Sequence, residues 1–348
     1  MPYNGDTMRL GFVVKPLAQP TLKSHDNRRW QNHPHLSVSL MYLRDVILYL
    51  SDRNIRMYRV SSDLAPYATH PNMLQFRSQV QECLRELAQV GQMARDAGIR
   101  LSFHPAQHVL LNSPNTDLVM RSSADVTSQA MILDLMGLGP EAVVVTHLGG
   151  IYGDRVASRQ RFVQEFRRLP EVARRRLVLE NDDTRFGVSD TVWVHQQTGI
   201  PLVFDNLHHR LNNPCDWPTC DALAACLSTW PSDVRPKIHF STPRTDWLVA
   251  QKPGDDQPEV RHTRWSYHSD YVNPFEFIDF VRMAQGLPTF DIMLEARAKD
   301  LALLQLRQDL ARYARDLAAQ FEPYHSPPIV GAKPTSMNQS SIKVEDSP

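Results

Sequence analysis

The stretch AVVVTHLGGIYGDRVASRQRFVQEFRRLPEVARRRLVLEN, residues 142–181, decides the fold of this 348-residue chain. Two short apolar runs within it, Ala142–His147 and Arg176–Asn181, are typical of buried strands. The segment between them, Arg155–Arg168, is typical of a helix. A strand, a helix and a second strand in this order predict two parallel strands joined by a crossover helix.

The same alternation extends over most of the chain. The candidate strands are Arg9–Val14, Arg56–Ser61, Arg100–His104, Ala142–His147, Arg176–Asn181, Pro201–Asp205, Pro236–Ser241 and Asp291–Ala296. The candidate helices are Ser37–Asp52, Met73–Ala97, Ser122–Met136, Arg155–Arg168, Val188–Thr198, Asp221–Ser228, Asn273–Ala284 and Lys299–Phe321. Eight such units predict an α/β fold of the (β/α)₈ TIM-barrel class rather than an open doubly wound sheet. No G-x-G-x-x-G follows the first strand, which further weakens a dinucleotide-binding fold.

The composition is that of an ordinary globular protein, with 42% hydrophobic and 22% charged residues. The 38 basic residues balance the 38 acidic ones, so no global field attracts nucleic acid or an anionic membrane. The four cysteines form no C-x-x-C pair, which favours reduced thiols. We see neither a signal peptide nor a membrane span, and we expect a cytoplasmic protein without a membrane partner.

Two stretches depart from the alternation. Residues 1–322 are expected to form the barrel domain, and residues 323–348, which are rich in Pro and Ser, a disordered tail. The segment Thr242–Val272 is long for a loop after a barrel strand and therefore suggests a lid or binding loop. Its basic and aromatic residues suit phosphates and bases, although a solvated loop pinned by a tryptophan fits equally well. These residues are Arg244, Trp247, Arg261, Arg264, Trp265 and Tyr267.

Potential metal ligands recur at the ends of the candidate strands. They are His104, His147, Glu180, Asp205, His208, His239 and Glu295. The carboxyl ends of barrel strands converge on one mouth, so these side chains should share one small volume. Any one of them alone is more often a structural residue. Together they would be costly to bury without cations, and they predict two or three divalent ions such as Zn²⁺ or Mn²⁺, which could clamp a phosphoryl group.

Lys237 precedes His239 by two residues, so strand alternation predicts that both side chains face the same side. An inward ammonium group beside cations is unfavourable unless it pairs with phosphate or is chemically neutralised. A tilted strand that lets Lys237 reach solvent is the alternative.

Several short motifs, in this order between Met8 and Gln305, resemble the UV-damage endonucleases, barrel enzymes that nick DNA beside ultraviolet photoproducts. The motifs are Leu10-Gly11, Arg59-Val60-Ser61-Ser62, Ala68-Thr69-His70-Pro71, His104-Pro105-Ala106-Gln107, His147-Leu148-Gly149-Gly150, Leu179-Glu180-Asn181-Asp182, Asp205-Asn206-Leu207-His208-His209, Lys237-Ile238-His239-Phe240-Ser241, His268-Ser269-Asp270-Tyr271 and Leu294-Glu295-Ala296. Each motif is short, but the order is specific.

The resemblance implies three metal ions, with Mn²⁺ first and Zn²⁺ or Mg²⁺ as alternatives. The implied ligand sets are His104, His147 and Glu180; Glu180, Asp205, His239 and Glu295; and His208 and His268. It further implies that His70 lies close to the scissile phosphate and that Lys237 can be carboxylated. The implied catalytic residues are Glu180, His70 and Lys237.

The substrate implied by the resemblance is damaged double-stranded DNA. Hydrolysis would occur immediately 5′ of a photoproduct, or of another distorting lesion such as an abasic site, and would leave a 3′-hydroxyl group. A monomer is expected, acting at the nucleoid of a bacterial cell or in the nucleus of a eukaryotic one. The candidate DNA-contacting or lesion-contacting residues are Phe12, Gln107, His108, Arg244 and Arg264.

Two positions depart from the family pattern. Phe12 and His108 stand where family members typically carry tyrosine, while the probing Gln107 is kept. Phenylalanine cannot donate a hydrogen bond and histidine stacks less extensively than tyrosine, so these changes bear on lesion recognition rather than on cutting.

Two other functions remain open on the sequence. A sugar isomerase or epimerase of the same barrel superfamily would use similar His, Asp and Glu ligands, but it usually needs fewer ions and has no use for a helix-probing Gln107. A non-catalytic damaged-DNA-binding protein is the other alternative. The complete ligand set argues against it, because a decayed enzyme should have lost some ligands.

Overall fold

The strands of the computed structural model, which describes residues 7–250 and 259–321, fall where the apolar runs predict them. The strands are β1 (Leu10–Val13), β2 (Met57–Arg59), β3 (Arg100–Ser102), β4 (Val144–His147), β5 (Leu177–Glu180), β6 (Leu202–Val203), β7 (Lys237–Phe240), β8 (Trp247–Ala250), β9 (Glu259–His262) and β10 (Asp291–Leu294). All eight predicted strands are confirmed. The remaining two, β8 and β9, form an antiparallel hairpin.

Eight parallel strands close into a barrel. One sheet has the order β3-β2-β1-β10-β7 and a second has the order β4-β5-β6. Parallel bridges between Phe103 and Val144, and between Asp205 and His239, join the two sheets at both seams. The predicted TIM-barrel class is thereby confirmed, and the open doubly wound sheet is excluded.

Helices cover the outside of the barrel. They are α1 (Leu36–Asp52), α2 (Gln79–Glu82), α3 (Leu84–Asp96), α4 (Thr116–Leu135), α5 (Arg155–Arg168), α6 (Glu171–Arg174), α7 (Val188–Thr198), α8 (Asn206–Leu211), α9 (Thr219–Leu227), α10 (Pro274–Met283), α11 (Lys299–Tyr313) and α12 (Arg315–Ala318), with 3₁₀ turns at Trp30–Asn32 and Leu74–Phe76. Side-chain caps explain several starts: Asn115 accepts from the Leu118 amide, and Asp154 from the Ala157 amide. Among the described residues, no helix is both long enough and apolar enough to cross a bilayer.

The predicted single helix Met73–Ala97 is wrong. This stretch is a 3₁₀ turn followed by α2 and α3, with a break at Cys83. The buried Gln79 side chain accepts from the Leu36 amide at 2.8 Å and donates to the carbonyls of Pro66 and Phe76. The bonds to Leu36 and Pro66 connect this stretch to segments distant in sequence, and sequence periodicity carries no signal of them.

The bounds of two other helices also differ from the prediction. Helix α4 begins six residues before Ser122, at Thr116, because Asn115 caps it. Helix α11 ends at Tyr313, and the short separate helix α12, Arg315–Ala318, follows it, whereas the prediction had one helix to Phe321. The parallel bridge of Phe321 with Met8 connects the end of the described chain to the start of the barrel. The expected disordered tail lies outside the described residues, and the domain boundary stays a prediction.

A network of ion pairs lies at the amino-terminal end of the barrel. Asp291, at the start of β10, is fully buried and lies 2.9 Å from Arg100 Nη1, 3.3 Å from Arg9 Nη1 and 3.6 Å from Arg235 Nη1. Arg9 also pairs with Glu141 at 2.7 Å. This end of a barrel ordinarily serves stability, and the opposite end carries the active site.

Gly91 sets how closely α3 packs against the end of α4. A Cβ atom at Gly91 would lie 1.9 Å from the carbonyl oxygen of Met136, which is backbone and cannot rotate away. We expect Gly91→Ala to lower the free energy of unfolding by about 1–3 kcal/mol, measured by denaturant unfolding. Gly139→Ala is the matched control, because nothing lies within 4 Å of its added Cβ. Equal stability of both variants would contradict the close packing.

Candidate metal centre

The predicted ligands lie at the carboxyl ends of the barrel strands. His147 and Glu180 are the last residues of β4 and β5, and His239 lies within β7. The other four lie just beyond their strands, and His208 is carried by α8. These four are His104, Asp205, His208 and Glu295.

Glu180 is the centre of the cluster. Its Oε1 atom lies 2.8 Å from His239 Nδ1 and 3.5 Å from His208 Nδ1. Its Oε2 atom lies 3.1 Å from His104 Nε2 and 3.7 Å from His147 Nε2. One carboxylate therefore faces four imidazoles from four different elements.

Three groups of potential ligand atoms, each within 4.8 Å of one another, share Glu180. They are His104 with His147 and Glu180, Glu180 with His239 and Glu295, and Glu180 with Asp205 and His208. The first group has the composition that the resemblance implies for one ion. Asp205 groups with His208, whereas the resemblance implies a set that joins Asp205 to His239 and Glu295.

Local backbone structure holds Asp205 and His208 in place. Asp205 Oδ1 accepts from the His208 amide at 2.7 Å and thereby caps α8. The Asn181 side chain exchanges two hydrogen bonds with the Asp205 backbone, at 2.9 and 3.1 Å. His208 Nδ1 lies 3.0 Å from the Asn181 carbonyl oxygen. The ends of β5 and β6 and the start of α8 thus form one hydrogen-bonded unit.

Burial and charge shift the pKa values of the acidic ligands in opposite directions. Burial raises the pKa of Asp205 to about 7, with Glu180 and Glu295 adding to the shift against His208. For Glu180, burial is outweighed by His239 and His147, so its pKa lies well below the ordinary value. Burial is likewise outweighed for Glu295, mainly by Arg59, and its pKa is also held well below the ordinary value. The cluster therefore concentrates negative charge in a buried volume.

The pKa values of the histidines are also shifted in opposite directions. Burial lowers the pKa of His239 to about 3, against the opposing effect of Glu180 and Glu295. For His208, burial is outweighed by Asp205 and Glu180, which raise its pKa to about 9. Burial also lowers the pKa of His147. His239 and His147 are therefore neutral imidazoles next to carboxylates, the donor set that divalent cations bind, whereas His208 must lose a proton when it binds a cation.

Two buried polar atoms without a hydrogen-bond partner test whether this donor set fits divalent cations. Asp205 Oδ2 and His147 Nδ1 are buried, and neither has a hydrogen-bond partner among the described residues. Buried polar atoms of this kind are costly unless they are bonded. The donor set of His, Asp and Glu with such an acceptor at Asp205 fits divalent metal ions.

His268 lies at the edge of the cluster. Its Nε2 atom is 3.9 Å from Glu295 Oε2, and its ring centroid is 6.4 Å from that of His208. Within the described part of the chain, none of the three close groups includes His268. The pair of His208 and His268 that the resemblance implies for a third ion is thus adjacent but more widely spaced than the other sets.

Lys237 is fully buried, and its Nζ atom donates to Ser102 Oγ at 3.1 Å. The alternative in which it reaches solvent is therefore wrong. Burial, with Arg59 and Arg100 adding to it, lowers the pKa of Lys237 well below its ordinary value. An amine of this kind is easily held neutral or modified.

Two segments predicted to contact DNA lie at the surface. Gln107 and His108 are exposed in a turn that the Val109 amide closes onto the Ala106 carbonyl at 2.9 Å. His70 is partly exposed, and its Nδ1 accepts from the Asn72 amide at 3.3 Å. These positions leave the three side chains accessible to a ligand.

Phe12 requires a correction. Its side chain has no exposed surface and packs edge-on against Tyr58, with the ring centroids 5.4 Å apart. The Tyr58 hydroxyl donates to the Val14 carbonyl. Phe12 is therefore a core residue in this arrangement, and the prediction that it contacts a lesion directly is wrong. Alternation along β1 could not show this, because buried strands are apolar on both faces.

The segment after β7 is more regular than expected. Within Thr242–Val272, β8 and β9 pair antiparallel, and His268 forms a bridge with Pro243 at the base of the hairpin. Residues 251–258 and the Arg261 side chain lie outside the described residues. Because His268 lies at the base of this hairpin, the loop is next to the group of potential metal ligands around Glu180.

Exposed aromatic and basic side chains cover this hairpin. Trp247 and Trp265 are 59% and 54% exposed, and the His262 ring lies between them, 3.9 Å and 6.3 Å from the two tryptophan centroids. Arg244 pairs with Asp246 at 2.8 Å, and Arg264 is exposed. Exposed tryptophans that nothing in the described fold covers suit a binding surface.

Arg59 was not predicted as a site residue, although it belongs to the family motif Arg59-Val60-Ser61-Ser62. Arg59 ends β2, as His147 and Glu180 end their strands. A charged residue at the end of an otherwise apolar barrel strand was the available signal. The structure places its guanidinium against His239 and Glu295.

A family model described as UV-endonuclease UvdE matches residues 23–321. The chain belongs to the UV-endonuclease family. The family resemblance predicted from the motifs is thereby confirmed, and the match includes every predicted ligand.

A curated relative in this UV-endonuclease family is named UV DNA damage endonuclease, from Bacillus velezensis. It is 33% identical over 267 residues, which cover 76% of this chain and 78% of that protein. The crystal structure of SacUVDE is 29% identical, with a TM-score of 0.73, and the match covers 88% of this chain and 98% of that one.

A sugar epimerase shares the barrel at much lower identity. The structure of D-psicose 3-epimerase from Clostridium cellulolyticum H10 is 12% identical with a TM-score of 0.52, and the match covers 90% of this chain and 98% of that one. This likeness shows the fold alone.

Proposed function

We propose that this chain is a divalent-cation-dependent DNA repair endonuclease that hydrolyses the phosphodiester bond immediately 5′ of ultraviolet photoproducts and leaves a 3′-hydroxyl group. The observation that carries the proposal is the contact of one buried carboxylate, Glu180, with four histidines at the barrel mouth. Family membership supports the choice of DNA as substrate. An abasic site is the second lesion that we expect to be cut.

The proposed roles follow from position. The cation ligands are His104, His147, Glu180, Asp205, His208, His239, His268 and Glu295. Two or three bound cations, with Mn²⁺ as the first candidate, would stabilise the charge that develops on the attacking and leaving oxygens. Glu180 would connect the ion sites, since all three ligand groups share it. His70 would contact the scissile phosphate, and the buried Lys237 would act beside Glu180 and Glu295.

DNA would dock across the mouth. Gln107 and His108 protrude from an exposed turn and would wedge beside the damaged base pair, where a weakened stack makes unstacking less costly. Arg244 and Arg264, on the other side of the metal-centre cluster, would contact phosphates. Since the net charge is zero, this local basic surface would provide the attraction that the whole molecule lacks.

The epimerase alternative lacks a specific observation in its favour, because its structural likeness extends to the fold alone. A non-catalytic binding protein is opposed by the complete and clustered ligand set. A monomer and a cytoplasmic location stay predictions.

The experiment that tests this function is a nicking assay on two end-labelled duplexes, one with a single defined photoproduct and one with a single abasic site. We expect cleavage 5′ of the photoproduct with Mn²⁺, loss of cleavage after chelation, and recovery when Mn²⁺ returns. Zn²⁺ and Mg²⁺ are compared in parallel, and an undamaged duplex is the control. Cleavage that persists in excess chelator would contradict the metal centre, and binding to irradiated DNA without cleavage in any metal would favour the non-catalytic alternative.

The aromatic hairpin gives a separate prediction about substrate affinity. Stacking of one base on an exposed aromatic ring contributes about 1–3 kcal/mol, so Trp247→Ala should raise KM on the order of tenfold with little change in kcat. Tyr313→Ala, which removes a similarly exposed ring at the end of α11, is the control and should leave KM unchanged. A fall in kcat at constant KM would show instead that the hairpin acts on the chemical step.

A further inference from the structure

Arg59 contacts two of the proposed metal ligands. Its Nη2 atom lies over the His239 ring, 2.9 Å from Nε2 and 3.5 Å from Nδ1, and also pairs with Glu295 Oε1. The side chains of Arg59 and Glu295 are each 10% exposed. A buried guanidinium group therefore binds two of the three members of the ligand group formed by Glu180, His239 and Glu295.

The position of Arg59 over the His239 ring leaves Nδ1 facing the two carboxylates. Nδ1 lies 2.8 Å from Glu180 Oε1 and 3.3 Å from Glu295 Oε1. Glu295 Oε1 thus has both the guanidinium group of Arg59 and the imidazole of His239 as neighbours. The positive charge of Arg59 therefore lies directly against two members of this ligand group.

A cation bound between Glu180, His239 and Glu295 would take a carboxylate oxygen of Glu295 and a ring nitrogen of His239 as ligands. The guanidinium group of Arg59 already pairs with Glu295 Oε1, so it would compete with the ion for this carboxylate. The guanidinium charge would also repel the ion at such short distances, so the Arg59 contact and the coordinated ion exclude each other.

We propose that Arg59 is an internal counter-cation that competes with a divalent cation for His239 and Glu295, and that the cation displaces it. This inference rests on the metal centre of the proposed function. Arg59 is thus a positioning residue: it holds the two ligands next to each other and at the same time weakens binding of the ion. Removal of its charge should strengthen metal binding, whereas removal of a residue that merely supports the ligands would weaken it.

The experiment measures Mn²⁺ binding by calorimetry, and thermal unfolding with and without Mn²⁺, for chelator-treated protein. We expect Arg59→Met to bind its tightest Mn²⁺ about tenfold more tightly than the unsubstituted chain. The chelator-treated variant should unfold at a lower temperature, because Glu295 has lost its cation, and should gain more from Mn²⁺ than the unsubstituted chain does. Arg59→Lys, which keeps the charge on a shorter side chain, should give intermediate Mn²⁺ affinity.

Arg307→Met is the matched control. Arg307 is also a buried arginine, and it donates to the carbonyls of Arg53 and Asn54 before β2, at the other end of the barrel. We expect it to lower stability without changing Mn²⁺ affinity. Weaker or unchanged Mn²⁺ binding by Arg59→Met would overturn the inference while leaving the metal centre intact. If the unsubstituted chain binds no Mn²⁺, the metal centre itself fails. If Arg59→Met folds only when Mn²⁺ is present, the cation has replaced the guanidinium and the inference is supported.

Discussion

Glu180→Gln should lower the rate of nicking beside a photoproduct by roughly a thousandfold. Several kcal/mol of transition-state stabilisation depend on bound cations, and each 1.4 kcal/mol corresponds to about a factor of ten in rate. All three ligand groups contain Glu180, so a single amide at this position weakens every proposed ion site at once. Glutamine keeps the size of the side chain, which limits the effect to charge and coordination. The rate is measured under single-turnover conditions at saturating Mn²⁺.

Metal content separates this effect from a loss of folding. The Glu180→Gln variant should retain fewer Mn²⁺ ions per chain after dialysis and keep its helical circular dichroism. Glu165→Gln is the control, because Glu165 bonds to Ser123 between α5 and α4, outside the barrel. Near-normal nicking by Glu180→Gln would refute the proposal that the Glu180 carboxylate is shared by all the ion sites.

Asp291→Asn should lower the free energy of unfolding by about 3–5 kcal/mol, the second large effect that we expect. Removal of one partner from a buried ion pair leaves uncompensated charge in the interior. Here the carboxylate lies within 3.6 Å of Arg9, Arg100 and Arg235, and Arg100 and Asp291 have no exposed side-chain surface. The measurement is chemical denaturation at neutral pH.

A surface pair provides the comparison for Asp291. Asp52 lies 3.3 Å from Arg53, but its side chain is 74% exposed. Exposed pairs contribute about 0–1 kcal/mol, so Asp52→Asn should change stability little. If both substitutions cost the same, the network around Asp291 is not what stabilises the amino-terminal end of the barrel.

These two predictions concern opposite ends of one barrel. At the amino-terminal end, three arginines neutralise the buried carboxylate of Asp291, so no bound cation is needed there. At the carboxyl end, Glu180 faces imidazoles, and the orphaned Asp205 Oδ2 has no partner among the described residues. A buried carboxylate therefore stabilises the fold at the amino-terminal end of the barrel, and a different buried carboxylate at the carboxyl end suits the binding of a cation.

The sequence alone determined the eight strands, the barrel class and the family. Strand and helix periodicity is a local property, so it can be read without knowing what the chain packs against. The ends of the strands follow directly, and with them the convergence of residues such as His104 and Glu295 on one mouth. The motif order gave the family because its short blocks recur along most of the chain.

Only the tertiary structure decided which side chains meet. Glu180 as the shared carboxylate, the burial of Phe12, the break at Cys83 and the contact of Arg59 with His239 all depend on barrel register and on long-range hydrogen bonds. Residues that are far apart in sequence determine these contacts, and periodicity carries no signal of them. The local sequence pattern thus predicts that a residue lies at the mouth of the barrel, but the closed barrel determines which side chains it contacts there.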